Sequence, residues 1–403
     1  MQSAFAEASA GKSVVAVLSR RMKITIAPDS FKGCLGALEA ALAMEEGARR
    51  VFPEAEFAVV PMADGGEGTV RALVEATGGE FVSEEVADPL GRPIKATYGI
   101  LKDGLTAVME MAAASGLPLL APEERNPLLT STLGTGQLIK AALDRGCRGM
   151  IIGIGGSATV DGGMGMAQAL GARFLDEGGK PLGPEGGELA RLDRIDLSGF
   201  DPRTRGTEVW VACDVDNPLL GPNGAAKVFG PQKGATPEMV ATLEANLTRF
   251  AEVVKRDLGK DVTEFPGSGA AGGLGAGLAA FLEAKVQPGA EVVARAAGLE
   301  EKMKGSALVI TGEGRIDRQT AHGKTVCGVA AIAKRMGVPV VAIAGSLGEG
   351  AEEVIHLGVD ALADIIDGPM TLEEALAQAR SLISDASERV CRLLAVGMRL
   401  QKE

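Results

Sequence analysis

Short apolar runs closed by small-residue loops alternate along this chain with longer segments whose apolar positions recur at helical spacing. Residues 23–27 read as a strand, followed by the loop PDSFKG and an Ala/Leu/Glu-rich helix over about 36–50. A second strand at 57–61 ends in MADGGEGT, and a helix follows over about 69–77. The pattern then changes. PLGRPIKATYGI and LTAVMEMA read as two longer strands around the turn Lys102-Asp103-Gly104, an antiparallel hairpin. A helix at about 135–145, a buried strand at 150–154, a glycine loop, a strand at 172–175 and a Gly/Pro-rich excursion at 177–189 come next. They are followed by a strand at 208–212, a helix over about 237–258 and the glycine cluster GAAGGLGAG at 269–277. From Ala307 the alternation is regular again: LVITGEGRID after a strand, a helix in HGKTVCGVAAIAKRMG, the strands PVVAIAG and DALADII, and a C-terminal helix over about 371–397.

The likeness between the two ends predicts a discontinuous α/β domain. Residues 22–86 plus 291–403 would form one Rossmann-like parallel sheet, with 87–290 inserted as a second, unlike α/β domain carrying a mixed sheet and the glycine-rich loop. The active site is expected in the cleft between them. A head-to-tail pair split near residue 200 is the competing arrangement, and no internal repeat is visible.

Composition narrows the function classes. With 403 residues, 46% hydrophobic and 23% charged, the chain is an ordinary globular protein of about two domains. Its net charge of −12 and 3% aromatics argue against a nucleic-acid partner or an anionic membrane surface. No apolar run reaches the ~18 residues of a membrane span. Five cysteines without CxxC spacing point to a reducing cytoplasm, and two histidines leave little room for a His-rich metal site or a Ser-His-Asp triad. Residues 1–21 read as a dispensable extension, with Met22 as an alternative start. The 56 glycines, about twice ordinary usage, cluster where apolar runs end and read as site-building positions.

Polar residues collect at those same places. Asp29, Ser30 and Lys32 follow the first strand, Asp64, Gly65, Gly66 and Glu67 the second, and Glu110 lies within a third. Ser157 and Asp161 follow the strand at 150–154, Asp214 and Asn217 another, and Glu313, Arg315 and Asp317 lie in TGEGRID. In parallel α/β sheets ligands bind beyond the carboxyl ends of strands. Any one of these acids is explained as a helix N-cap, but the set suits magnesium-nucleotide phosphoryl transfer. Walker A is absent, because Ala6 and Arg318 stand where GKS and GKT would need the first glycine. GIGGSA at 153–158 satisfies a loose dinucleotide fingerprint, with Asp176 at a plausible distance, so a nicotinamide oxidoreductase is the enzymatic rival. Asp161-Gly162-Gly163 counts against it, falling where that fingerprint needs helix.

The stretches APDSFKG, PMADGGEGT, EMAAASGL, TSTLGTGQLI, GIGGSATVDGG, ACDVDNPLLGPNGAA, FGPQKGA, GAAGGLGAGL, VITGEGRIDRQTAHGK and AIAGSL occur in the order and spacing of the bacterial type I glycerate kinases. The chain resembles that family from Met22 to about Met398. The resemblance implies transfer of the ATP γ-phosphate to D-glycerate, giving 2-phosphoglycerate, with Mg²⁺, in two unlike α/β domains. It departs at Val160, where SATNDGG has Asn, which would withdraw an amide, and at Gly33-Cys34.

Roles follow from side-chain chemistry. Gly155, Gly156, Ser157, Gly323 and Lys324 are expected to cradle nucleotide phosphates, and Asp214 and Glu313 to hold magnesium. Lys32 and Arg315 suit glycerate carboxylate or transferring phosphate. Asp64 and Asp161 compete to orient and deprotonate the hydroxyl, and Ser30, Gly65, Gly66 and Glu67 are expected to bind substrate. A 3-phosphoglycerate product and a non-catalytic sugar-acid sensor are the remaining alternatives.

Overall fold

Backbone pairing follows the apolar runs. In chain order the strands are β1 (Lys23–Ile26), β2 (Glu56–Val59), β3 (Glu80–Ala87), β4 (Pro93–Ile100), β5 (Thr106–Glu110), β6 (Gly149–Gly153), β7 (Arg173–Leu175), β8 (Arg194–Asp196), β9 (Glu208–Ala212), β10 (Lys285–Gln287), β11 (Leu308–Glu313), β12 (Val340–Ala344) and β13 (Ala361–Asp364). The computed structural model describes residues 22–322 and 324–400, so the expected 1–21 extension and Gly323 lie outside the described residues. Two compact units emerge: the described residues up to Ala63 together with those from Val293 onward, and Asp64–Val292.

The first unit holds a parallel sheet in the order β13-β12-β11-β1-β2. Both β11 and β12 are buried along their whole length, which is why they read as continuous apolar runs and not as alternating ones. Counted within the unit alone, this is the doubly wound order 2-1-3-4-5, in which the order of strand addition reverses between β1 and β11. Helices Ala37–Val51 and Ala379–Leu400 pack against each other, and Ser387 Oγ donates to the Met44 carbonyl at 2.7 Å. Gly47 permits that approach, since a Cβ there would lie 1.9 Å from the Ser384 carbonyl oxygen. The expected single C-terminal helix is two, Leu372–Ala377 and Ala379–Leu400, with Gln378 outside helical geometry.

The second unit holds a mixed sheet in the order β10-β9-β6-β5-β4-β3, parallel from β10 to β5 and antiparallel from β5 to β3. β3 is a strand that the apolar pattern did not reveal. Its acids and the exposed Phe81 mask Val82 and Val86, the two valines buried in the core. Helix Thr69–Thr77 also belongs here, although the sequence pattern grouped 22–86 with the first sheet. It buries Val70, Leu73 and Val74, and Gly99 of β4 leaves room for them: a Cβ there would meet Val74 Cγ2 at 2.3 Å.

The cluster at 269–277 is helical, part of Ala270–Leu282, with Ala271, Gly272 and Gly273 in left-handed geometry at its start. Its glycines serve close packing. A Cβ on Gly277 would lie 2.4 Å from the Gly162 carbonyl, so this helix rests backbone to backbone on the central glycine loop. Much of the glycine excess therefore builds contacts and not ligand surfaces.

Candidate functional site

In the second unit the carboxyl ends of β6 and β9 open onto a cavity of about 270 Å³. Asp64, Gly65 and Gly66 form one wall, Ile154 to Ser157 another, and Ala212 to Val215 a third; Lys233 and Ala271 are among the residues that complete it. This is where open parallel sheets bind ligands. A larger concavity of about 600 Å³ lies at the opposite strand ends, beside Glu208 and Lys285, and contains none of the glycine loops.

Local chemistry fixes the walls. Glu110, the last residue of β5, accepts from the N–H groups of Gly68 at 3.1 Å and Val70 at 2.9 Å, which ties the 64–68 loop and the helix after it to the sheet. Burial pushes the Glu110 carboxyl above its ordinary range, and those N–H groups oppose the shift. Asp64 Oδ1 accepts from Gly66 N–H at 3.0 Å, an Asx-type turn that leaves Oδ2 for a ligand. Gly156 adopts φ +73°, and its carbonyl accepts from Leu117 N–H at 2.8 Å. Across the same turn, Ala158 N–H donates to the Ser115 carbonyl at 3.0 Å. The N–H groups of Gly155, Gly156 and Ser157 find no protein acceptor among the described residues. Unspent, with Gly155 and Gly156 exposed and Ser157 buried beside them, they are the donors an anion-binding turn requires.

Asp161 is elsewhere. It is 0% exposed and accepts from Thr132 N–H at 2.8 Å, Thr132 Oγ1 at 2.7 Å, Gly163 N–H at 3.1 Å and Gly165 N–H at 3.2 Å. Burial raises its pKa against those four donors. Its carboxylate holds the loop and the start of helix Met164–Ala169, and it does not line the cavity. The structure thus gives Asp161, expected as a candidate for the substrate hydroxyl, a position that braces the loop. Val160 is likewise fully buried in the apolar core, so the departure from Asn is a matter of packing.

Asp214 is exposed on the cavity wall, and its Oδ1 accepts from Gly289 N–H at 2.8 Å. Cys213 beside it is no ready nucleophile, because burial pushes its thiol up to about 11. Glu67 is exposed on the same loop as Asp64 without lining the cavity. Asp214 could offer a carboxylate to a hydrated magnesium ion, which takes one or two carboxylates and keeps waters and phosphate oxygens. Larger assemblies of three or more His, Cys, Asp or Glu are absent among the described residues.

The remaining expected residues lie in the first unit, around the reversal between β1 and β11. Asp29 is buried, accepting from Ser30 N–H and from Thr325 Oγ1, each at 2.5 Å. Glu313 accepts from Thr320 Oγ1 at 2.6 Å. Lys324 precedes helix Thr325–Met336 at its N-cap, and Lys32 is exposed. Arg315 is 66% exposed at its side chain and pairs with Asp317 at 3.0 Å. The dinucleotide fingerprint is not formed, since the helix after β6 begins only at Met164 and Asp176 closes a surface turn onto Lys180.

Lys233, in FGPQKGA, is the site residue that sequence reasoning passed over. It is 2% exposed and donates from Nζ to Ser157 Oγ at 2.6 Å and to the Thr159 carbonyl at 2.7 Å. The motif was visible, but an isolated lysine outside a strand end gave no sign of burial. No helix among the described residues is long and apolar enough to cross a membrane, and all five cysteines are free thiols.

Residues 24–395 match the model of the glycerate kinase family. The chain is 54% identical over 367 residues to a glycerate kinase of Halalkalibacterium halodurans, covering 91% of this chain and 97% of that one. It is 51% identical over 378 residues to the glycerate 2-kinase of Escherichia coli, covering 94% and 99%. A crystal structure from Salmonella typhimurium LT2, of a protein proposed to be glycerate kinase 2, superposes with a TM-score of 0.87 at 51% identity over 94% of this chain and 99% of that one. On this evidence the chain belongs to the glycerate kinase family.

Proposed function

We propose that this protein transfers the γ-phosphoryl group of ATP to D-glycerate, giving 2-phosphoglycerate and ADP in a reducing cytoplasm. The observation that carries the reading is the cavity itself, which is lined both by the unspent N–H groups of Gly155 and Gly156 and by the acids Asp64 and Asp214. Phosphoryl transfer asks a protein chiefly for positioning and charge stabilisation, and this set supplies both.

In this reading Gly155, Gly156 and Ser157 cradle phosphate oxygens, with Lys324 and Gly323 as further phosphate contacts. Asp64 orients the attacking hydroxyl and accepts its proton, a role that its half-exposed position favours over buried Asp161. Gly65, Gly66, Glu67 and Ser30 contribute to glycerate binding, and Lys32 and Arg315 offer cations to its carboxylate. Asp214, with Glu313 as the second candidate, would hold Mg²⁺, which when bound neutralises phosphate charge. The free thiols fit a reducing compartment.

The test is direct: purified protein, D-glycerate and MgATP, with ADP release followed by a coupled assay and the product identified by NMR. Appearance of 2-phosphoglycerate supports the proposal. A 3-phosphoglycerate spectrum would correct the regiochemistry, and glycerate binding without ADP release would favour a sensor.

A further inference from the structure

The buried end of Lys233 presents an unusual balance. An ammonium carries three N–H donors, and two are spent, on Ser157 Oγ at 2.6 Å and the Thr159 carbonyl at 2.7 Å. The third has no protein acceptor among the described residues, although the side chain is 2% exposed and borders the cavity. Both of those acceptors are neutral oxygens, and buried Asp161 acts on the ammonium only through space. A buried charge without a contacting partner is costly, and a fold retains it most readily when a ligand completes it. Position is fixed from behind as well. Gly234, at φ +91°, sits so close to the Arg125 carbonyl that a Cβ would lie 2.2 Å from it, which pins the turn bearing Lys233.

We propose that Lys233 is an anion-binding residue of this cavity, its third N–H donating to a carboxylate or phosphoryl oxygen of the bound ligand. Because Ser157 Oγ accepts from Nζ, the Ser157 hydroxyl proton is directed elsewhere and can donate to the same anion. Lys233 and Ser157 then act as a pair, joined by the N–H groups of Gly155 and Gly156. The assignment of the anion to glycerate or nucleotide rests on the kinase reading; the anion site does not.

Charge around the ammonium sets its pH response. Burial lowers its pKa to about 7, partly opposed by Asp161, while Asp64, Asp214 and Cys213 face it from the other walls. Anion binding therefore weakens as pH rises above neutrality, and a bound anion draws the ammonium back toward protonation.

The experiment uses the full chain as wild type, Lys233→Met and Lys233→Arg, each first shown to melt cooperatively. Titration calorimetry is run separately with D-glycerate, MgATP and inorganic phosphate. Lys233→Met is expected to weaken at least one of these by about 30-fold or more, the loss typical of removing one member of a buried charged contact. Lys233→Arg, which keeps the charge, is expected to retain most of that affinity and to lose the decline between about pH 7 and about pH 9. A loss confined to D-glycerate assigns the anion as carboxylate, and one confined to MgATP assigns it as phosphoryl. Wild-type affinities for all three probes in folded Lys233→Met overturn the proposal, as does a Lys233→Arg protein that folds but binds no better than Lys233→Met. If wild type binds inorganic phosphate through Lys233 but neither D-glycerate nor MgATP, the anion site stands and the kinase reading falls.

Discussion

Asp161 and Thr132 are locked together at both ends of one residue: the same carboxylate oxygen accepts the Thr132 N–H at 2.8 Å and its hydroxyl at 2.7 Å. That pairing joins the start of helix Leu133–Asp144 to the loop before helix Met164–Ala169. Asp161→Asn would turn an acceptor-only group into one with an N–H₂ facing donors. The expected result is a loss of roughly 3 kcal/mol of stability, in line with unpaired buried donors, read from the urea midpoint. A variant as stable as wild type but with much reduced kcat would return Asp161 to the chemistry.

Asp64 is expected to behave in the opposite way. An asparagine at this position can still accept from Gly66 N–H through its amide oxygen, so the loop keeps its turn. What it loses is the base. Asp64→Asn should leave the melting temperature unchanged and lower kcat by about 10²- to 10⁴-fold, measured as ADP release. Near-normal turnover would mean another group takes the proton.

The contrast between these two aspartates marks what the sequence could show. Both precede glycine pairs, in ADGG and TVDGG, and nothing local separates them. The difference arises from residues far along the chain: Thr132 closes on one, while Glu110 ties down the loop of the other and leaves its carboxylate half-exposed. The parallel and mixed sheets were legible because β1, β6, β9, β11 and β12 are apolar runs ending in distinctive loops. β3 was hidden because its buried valines sit among exposed acids, and the helix at Ala270–Leu282 because its glycines, read as site-building positions, answer a backbone contact with Gly162. Lys233 was missed for the same reason, since burial of a lysine is decided by what folds over it.

Glu110 offers a test of positioning without chemistry. Its carboxylate holds Gly68 and Val70 from across the sheet and does not line the cavity. Glu110→Gln weakens two charge-assisted bonds, each worth roughly 1.5 to 3 kcal/mol, and frees the 64–68 loop. The expected outcome is a fall in kcat/KM of about tenfold or more with the protein still folded, checked by steady-state kinetics beside a thermal melt. Unaltered kinetics would show that the loop holds its place by packing alone.

Gly47 tests the packing of the first unit. Replacing a mid-helix glycine with alanine ordinarily favours the helix by about 1 kcal/mol. Here the added methyl would lie 1.9 Å from the Ser384 carbonyl oxygen and 2.9 Å from Glu388 N, so the two helices must separate. Gly47→Ala is expected to be net destabilising, by about 1 to 3 kcal/mol as for other overpacked contacts. A rise in the denaturation midpoint would contradict the close approach.

Lys233 makes stability itself depend on pH, independently of any ligand. Burial depresses its pKa from 10.5 to about 7, so between those values the unfolded chain binds the extra proton. Stability must then rise with pH across that window, by up to roughly 1.4 kcal/mol per pH unit from this one group. The contribution is complete above the unfolded value and is lost as pH falls through about 7. Urea midpoints measured from about pH 7 to about pH 9 should therefore increase in wild type, and Lys233→Met should lack that component. Parallel pH profiles for the two proteins would mean that the ammonium keeps an ordinary pKa, held by solvent or by an acid that the geometry does not place beside it.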